Sequence, residues 1–337
     1  MRKRGTDVER RRSETKSSAV RQMRRHGTAC LAIAVSLFLA SCDTDSAQPE
    51  ATTVPTLMTT TVQPAQPAQL DVSESSLCSR LDGPACVFDY GNFDDPSVID
   101  NEWLPMTPGM QYVFEGTTNE ENELLGHQVI ITVTDLTKVI DGVESVVSWD
   151  LDFSEGVLVE AELAFFAQDN DGNVWRMGEH PEEYEDGEFV DAPTWLAGVA
   201  GAKAGVSMLG DPVLGSLSYS QGWAPAVEFI DRGRVHATGE EMCVEFDCYS
   251  DVLVVGEFNV EEPGALQLKY FAPGVGNVQV GWSGVDETQE ELGLVSAEQL
   301  DGAALDDVRA AALELEAHAY QISPDVYGTT QPAVPVG

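Results

Sequence analysis

The chain has 337 residues, with 57 Asp/Glu against 18 Lys/Arg and a formal net charge of −39. A surface this acidic repels phosphate backbones and anionic headgroups, so nucleic-acid binding and direct docking on an anionic bilayer are excluded. The bases are also unevenly placed: ten fall within residues 1–25, and beyond residue 41 the chain carries 8 Lys/Arg against 54 Asp/Glu, a net of −46.

That basic segment is followed by LAIAVSLFLA at 31–40, apolar apart from Ser36. Basic residues before a short apolar run make an export signal, and the run falls short of the ~20 apolar residues a bilayer span needs. Leu39-Ala40-Ser41-Cys42 resembles the lipobox of bacterial lipoproteins. The resemblance implies cleavage before Cys42 and a diacylglycerol on its thiol, which puts the protein on the outer face of the cytoplasmic membrane. A secretory signal with an incidental cysteine is the plainer alternative. The basic segment is long, and Met23 would serve as a start as well as Met1. Residues 1–41 are read as signal. Residues 42–77, rich in Thr, Pro, Gln, Ala and Ser, are read as a disordered tether with a reach of ~30 Å.

Four further cysteines, Cys78, Cys86, Cys243 and Cys248, suit disulfides in an oxidising compartment. The local pairs 78–86 and 243–248 are the simplest of three connectivities. A zinc site is the alternative, against which the spacings depart from paired CxxC.

From 78 to 295 the dominant signal is period-two alternation. QYVFEG (111–116), HQVIITVTDL (127–136), VESVVSWDLDF (143–153), AELAFFAQD (161–169) and NVWRMGE (173–179) read as strands. So do VEFIDRGRVHA (227–237), DVLVVGEFNV (251–260), LQLKYFA (266–272) and NVQVGW (277–282). Asp141-Gly142, Asp171-Gly172 and Asp186-Gly187 are tight-hairpin dipeptides. The fold class is mainly β: an antiparallel meander forming a curved sheet or partly open barrel, with one C-terminal α-helix. Residues 191–226, rich in Gly and Ala, read as a long insertion that covers a sheet face or pocket mouth, or as a simple crossover. Residues 296–322 read as an amphipathic helix with Leu305, Val308, Ala312, Leu315, Ala319 and Ile322 on one face. Residues 323–337 read as a flexible tail.

Three motifs, FDDPSVIDNEWLPMTPGMQYVFEG (93–116), AQDNDGNVW (167–175) and YFAPGVGNVQ (270–279), resemble an uncharacterised group of exported bacterial proteins common in actinobacteria. The resemblance spans most of residues 90–296. It implies one exported β-rich domain and carries over no activity and no site residue.

The sequence holds no HExxH, no GxSxG nucleophile elbow and no P-loop. Glu160 and Glu162 share a strand face, where paired acids on a solvated surface are the ordinary reading. Asp169, Asp171 and Asn173 around Gly172 resemble the core of a calcium loop, although the register places Ala167 and Gly178 at its end positions. A polar turn explains the same residues without metal. The expected function is a tethered module that binds an apolar ligand, a glycan or an envelope protein. The alternative is an envelope hydrolase that uses carboxylates or a metal.

Overall fold

The computed structural model describes residues 88–120, 123–259 and 261–336. The expected signal, the lipidation site Cys42, the tether, Cys78 and Cys86 lie outside the described residues. The strands are β1 (Met110–Glu120), β2 (Glu123–Ile140), β3 (Val143–Ser154), β4 (Val157–Gln168) and β5 (Val174–Glu185). Short pieces follow: β6 (Glu188–Asp191), β7 (Trp195–Leu196), β8 (Lys203–Met208), β9 (Tyr219–Ser220) and β10 (Gly222–Trp223). The second long group is β11 (Arg232–Cys243), β12 (Cys248–Phe258), β13 (Ala265–Ala272), β14 (Gly276–Gly284) and β15 (Glu291–Gln299). Helix α1 (Gly302–Ile322), helix α2 (Pro324–Tyr327) and strand β16 (Val334–Pro335) complete the chain.

Turn chemistry sets the first half. Asp141-Gly142 between β2 and β3, and Asp186-Gly187 between β5 and β6, hold positive φ at both residues, as a two-residue hairpin with the right-handed strand twist requires. Glu155-Gly156 does the same between β3 and β4. Asp171-Gly172 does not: only Gly172 has positive φ, and that link is a longer loop.

Every pairing is antiparallel, and the sheet follows the order β10-β8-β5-β4-β3-β2-β1-β15-β14-β13-β12-β11-β9. The first and last long strands meet in its middle, with Met110 opposite Gln299 and Phe114 opposite Leu294. The two ends of the order, β9 and β10, are separated in the chain by Gln221 alone. Tyr219 and Ser220 pair with β11, while Gly222 and Trp223 pair with β8. One short segment therefore stitches the two ends together, and the curved sheet becomes a nearly closed barrel.

The expected insertion at 191–226 thus contributes the seam, through β7 to β10. The strand expected from 227 starts at Arg232, after a turn of 3-10 helix at Pro225–Val227. The helix expected from 296 starts at Gly302. Residues up to Gln299 belong to β15, where Leu292 and Leu294 are buried on one face. Asp301 caps the helix by accepting from the N–H groups of Ala303 and Ala304.

Helix α1 buries Val308, Ala312, Leu315 and Ala319, on the face the spacing predicts, and packs on β2 and β4. Three polar fastenings hold it. Lys138 of β2 is fully buried and donates to Glu316 Oε1 (2.8 Å), Tyr320 Oη (3.1 Å) and the Gln331 carbonyl (2.7 Å). Arg309 forks onto Asp135. His318 meets Glu182 at 2.7 Å. The tail expected to be flexible is fixed by the same groups. Ala333 N donates to Glu316, Tyr327 is fully buried, and Val334–Pro335 pairs with Leu136 and Thr137 of β2.

Cys243 and Cys248 form a disulfide across the first pair of the β11–β12 hairpin. The hairpin tip docks on β15 through a hydrogen bond from Phe246 N to the Leu294 carbonyl (3.1 Å). The closed loop is short, so the bond removes little chain entropy. Replacing both cysteines by serine is expected to cost about 2 kcal/mol or less, read as a small shift in the urea midpoint.

Candidate functional site

From Trp149 to Phe153 in β3 and from Val159 to Leu163 in β4 the acidic and apolar residues alternate, and the pairing sets like against like. Asp150 lies opposite Glu162 and Asp152 opposite Glu160, while Trp149 lies opposite Leu163 and Val147 opposite Phe165. The apolar set joins the core that also contains Ala312, Leu315 and Ala319 of α1. The acids therefore point the other way, into the barrel.

They meet there the charges of the neighbouring strand β5 and of β12 and β13 on the far wall. Arg176 of β5 binds Glu179 and stands 3.9 Å from Glu162 Oε1. Its guanidinium lies 5.3 Å from the Phe166 ring centroid and 5.7 Å from that of Phe229. Lys269 of β13 binds Glu257 of β12 at 2.8 Å, and Gln221, the seam residue, donates to the other Glu257 oxygen at 2.6 Å. On β2, next to β3, His127 Nε2 contacts Asp152 at 2.6 Å, and Glu290 lies 3.1 Å from Nδ1. The adjoining wall is apolar and includes Phe114, Val280 and Leu292 with Val129 and Ile131.

Burial and charge divide these groups. Burial raises the Glu162 carboxyl well above the usual range, and the neighbouring Glu179 adds to the effect. Burial pushes Asp150 up to about 6 against the hydrogen bond from Ser148 and the charges of Arg176 and Lys269. Asp231, beside the seam, is pushed up to about 6 by burial and by Glu257. Burial works against Glu257 too, but Lys269 and Gln221 outweigh it and hold that carboxyl low. Burial would lower His127, yet Asp152 and Glu290 overcome it and raise it to about 10. The barrel wall thus carries carboxyls pushed up by burial beside one held low by its cation.

These groups line a lumen and do not fill it. Arg176 and Lys269 keep 25% and 30% of their side-chain surface accessible although protein surrounds them. Glu162 Oε1 has no hydrogen-bond partner, and neither has the hydroxyl of Tyr219, a residue only 2% exposed.

A raised carboxyl holds its proton more tightly in the folded state than in the unfolded one. Stability therefore falls as pH rises from the unfolded carboxylate range, about 4, to about 6 for Asp150. Asp150→Asn is expected to recover on the order of 1 to 2 kcal/mol above pH 6 and to change little at pH 4. Urea melts across that range check the slope.

The residues expected to hold calcium do come together. Asp169 Oδ1 accepts from the N–H groups of Asp171 (3.0 Å) and Asn173 (2.8 Å), and Oδ2 accepts from Asn173 Nδ2 (2.9 Å) and Trp175 Nε1 (2.8 Å). Asp171 accepts from Asn92, and Asn173 Oδ1 accepts from Gly210 N. The loop is tied by its own donors. Among the described residues, no group of three or more His, Cys, Asp or Glu is placed to hold a metal ion. A shallow groove of about 440 Å³ lies beside the disulfide, lined by Glu115, Val244, Gln279 and Glu291.

Sequence reading singled out Glu160 and Glu162 but missed Asp150, Arg176, Glu257 and Lys269. One signal was available. Only 8 bases follow the signal segment, and three of them, Lys138, Arg176 and Lys269, stand inside long strands.

Fold and site together define a nearly closed antiparallel barrel with a charged lumen and one covering helix. No protein-family model matches the chain, and no curated protein matches it. The resemblance to an exported actinobacterial group therefore rests on its motifs. Two solved structures are similar. One is described as a presumed exported protein with a YmcC-like fold from Bacteroides fragilis, 12% identical, with a TM-score of 0.32 over 59% of this chain and 99% of that one. The other is described as a presumed lipoprotein from Parabacteroides distasonis, 9% identical, with a TM-score of 0.29 over 59% of this chain and 100% of that one. Likeness at this level carries no functional argument.

Proposed function

We propose that this protein is a lipid-anchored extracytoplasmic binding module whose barrel lumen takes a small polar ligand. Cys42 carries the lipid on the outer face of the cytoplasmic membrane, and residues 42–77 tether the barrel. The observation that carries the reading is the charged lining itself: Arg176 and Lys269 remain accessible, and Glu162 Oε1, 3.9 Å from Arg176, has no hydrogen bond. A barrel that needed only a core would fill that space with apolar side chains, since unpaired buried polar atoms are costly. The same chemistry favours a glycan or another polar molecule over an apolar one.

A second reading has one observation of its own. Asp150 and Glu162 face each other with raised carboxyls, and an acid kept protonated beside an ionisable partner is what a carboxylate-dependent hydrolase needs.

The test is a native mass spectrum of the full chain, exported in a related host and released in mild detergent, against its denatured mass. The binding reading expects an excess mass, lost on denaturation, beyond the lipid on Cys42. Equal masses in protein taken directly from the envelope would count against it.

A further inference from the structure

The β11–β12 hairpin does not stay in the barrel wall. β12 pairs with β13 only from Leu253 to Glu257, so residues 248–252 have left β13 and run beside β11. Three register irregularities between Val235 and Met242, and a positive φ at Asp251, bend this two-stranded arm. The sheet order places β13 and β14 between β12 and β15. The tip of the arm nevertheless rests on β15. Phe246 N donates to the Leu294 carbonyl at 3.1 Å, and Val244 stands beside Gly293, where an added Cβ would lie 3.7 Å from it. The arm is therefore a strap laid across two strands. Beneath it lies the shortest ladder between neighbouring long strands. β14 and β15 pair through Gln279–Gly293 and Val280–Leu292 alone, whereas β1 pairs with β15 from Met110 to Thr117. The strap takes over where that ladder ends, since Leu294 follows Gly293. Met242, Val244 and Tyr249 of the arm pack on the apolar cluster that contains Val278, Val280, Leu292 and Leu294.

The strap is clamped against a force that lifts it. Glu245 of the tip shares one groove with Glu115 and Glu291 of the wall, and like charges across a groove repel. Among the described residues no ion pair ties the tip down; it is held by the Phe246 hydrogen bond, by apolar packing and by the shape of its own turn. That turn is closed by the Cys243–Cys248 disulfide and by Val244 N donating to the Asp247 carbonyl at 2.9 Å. Both cysteines are exposed, and an exposed disulfide is open to thiol exchange. We infer that the arm is a redox-released strap: with its disulfide formed it clamps the β14–β15 joint, and reduction by a dithiol frees the tip and lets the joint open. The step balances. One thiolate of the dithiol attacks a cysteine sulfur and expels the other cysteine as thiolate. The second thiolate of the dithiol then closes on the first and expels the remaining cysteine. Two electrons pass to the protein, and its two thiolates take up the protons that the dithiol released. The inference concerns the wall alone and stands apart from the reading of the lumen as a binding site.

The experiment is hydrogen exchange on the full chain, oxidised and after treatment with dithiothreitol. The Cys243→Ser/Cys248→Ser variant, measured without reductant, confines the change to this one bond. Amides at 244–246, and those of the β14–β15 joint at 279–280 and 292–293, are expected to exchange faster by roughly tenfold or more in the reduced protein and in the variant. Amides of β2 to β4 should keep their protection, and reoxidation should restore the oxidised pattern. Glu245→Gln, which removes one of the facing charges, should slow the exchange of the reduced form.

Unchanged exchange at 244–246 and at the joint, with the bond broken, would overturn the inference, because the strap would then hold without it. So would faster exchange that spreads equally to β2 to β4, which would make the bond a support of the whole fold. Faster exchange on reduction but not in the variant would trace the effect to other cysteines and overturn it as well. A bond that dithiothreitol does not reduce in the folded protein would do the same.

Discussion

Lys138→Met is expected to lower the unfolding free energy by ~3 to 5 kcal/mol, the usual cost of breaking a buried ion pair by removing one partner. The side chain is fully buried and its ammonium group has three oxygen partners, of which Glu316 is the charged one. Removing it leaves Glu316 buried with only the Ala333 N–H to satisfy it. The rings of Tyr320 and Tyr327, 5.2 and 4.9 Å from the ammonium, lose their cation as well. A second change, Glu316→Gln, should restore a good part of the loss because no unpaired charge then remains. Urea denaturation of the two single variants and the double variant closes the cycle. Limited proteolysis of the single variants should cut after residue 330 before it touches the barrel.

Gly205→Ala is expected to open the seam. A Cβ there would fall 2.1 Å from Gly222 N and 2.2 Å from the Gln221 carbonyl carbon, both backbone atoms that no rotamer can move. Overpacking a core costs ~1 to 3 kcal/mol, and a clash between two backbones lies at or above the top of that range. The loss should be local. Amides at 219–223, including the Gln221 N–H that donates to the Asp231 carbonyl, should exchange freely while those of β2 to β4 stay protected. Gly302→Ala is the control, since a Cβ there meets nothing within 4 Å and the site begins a helix. Unchanged protection at 219–223 in Gly205→Ala would mean that the seam does not hold the barrel shut.

Much of the fold was legible because its strands alternate and its turns carry Asp-Gly. The 243–248 hairpin and the buried face of α1 followed from spacing. β15 was missed because SAEQL has helical composition, and only its pairing with β1 makes it a strand. The tail looked loose because its anchors, Lys138 and Glu316, are far away in sequence. The site failed for a different reason. Alternation shows that Asp150, Asp152, Glu160 and Glu162 share a face, but it does not show which face meets water. The ordinary expectation puts acids outside. Here the helix claims the outer, apolar face of β2 and β4, so the acids are left to line the inside. Nothing within any one strand carries that information. It resides in where a helix some 140 residues later comes to dock, an order of separation that period and propensity do not reach.

The meeting of β1 with β15 also sets a timetable. A ribosome adds ~5 to 20 residues each second, and roughly 180 residues separate the start of one strand from the start of the other. A chain delivered N-terminus first therefore holds the outer edge of β1 without its partner for on the order of ten to forty seconds. Through that interval an open strand edge is a template for wrong pairing. The seam at Tyr219–Trp223 cannot help, because it joins two ends that exist only once both halves are sheet. Biogenesis, more than the stability of the finished barrel, is where this topology is exposed. A holding chaperone that covers a single strand edge is the protection it calls for.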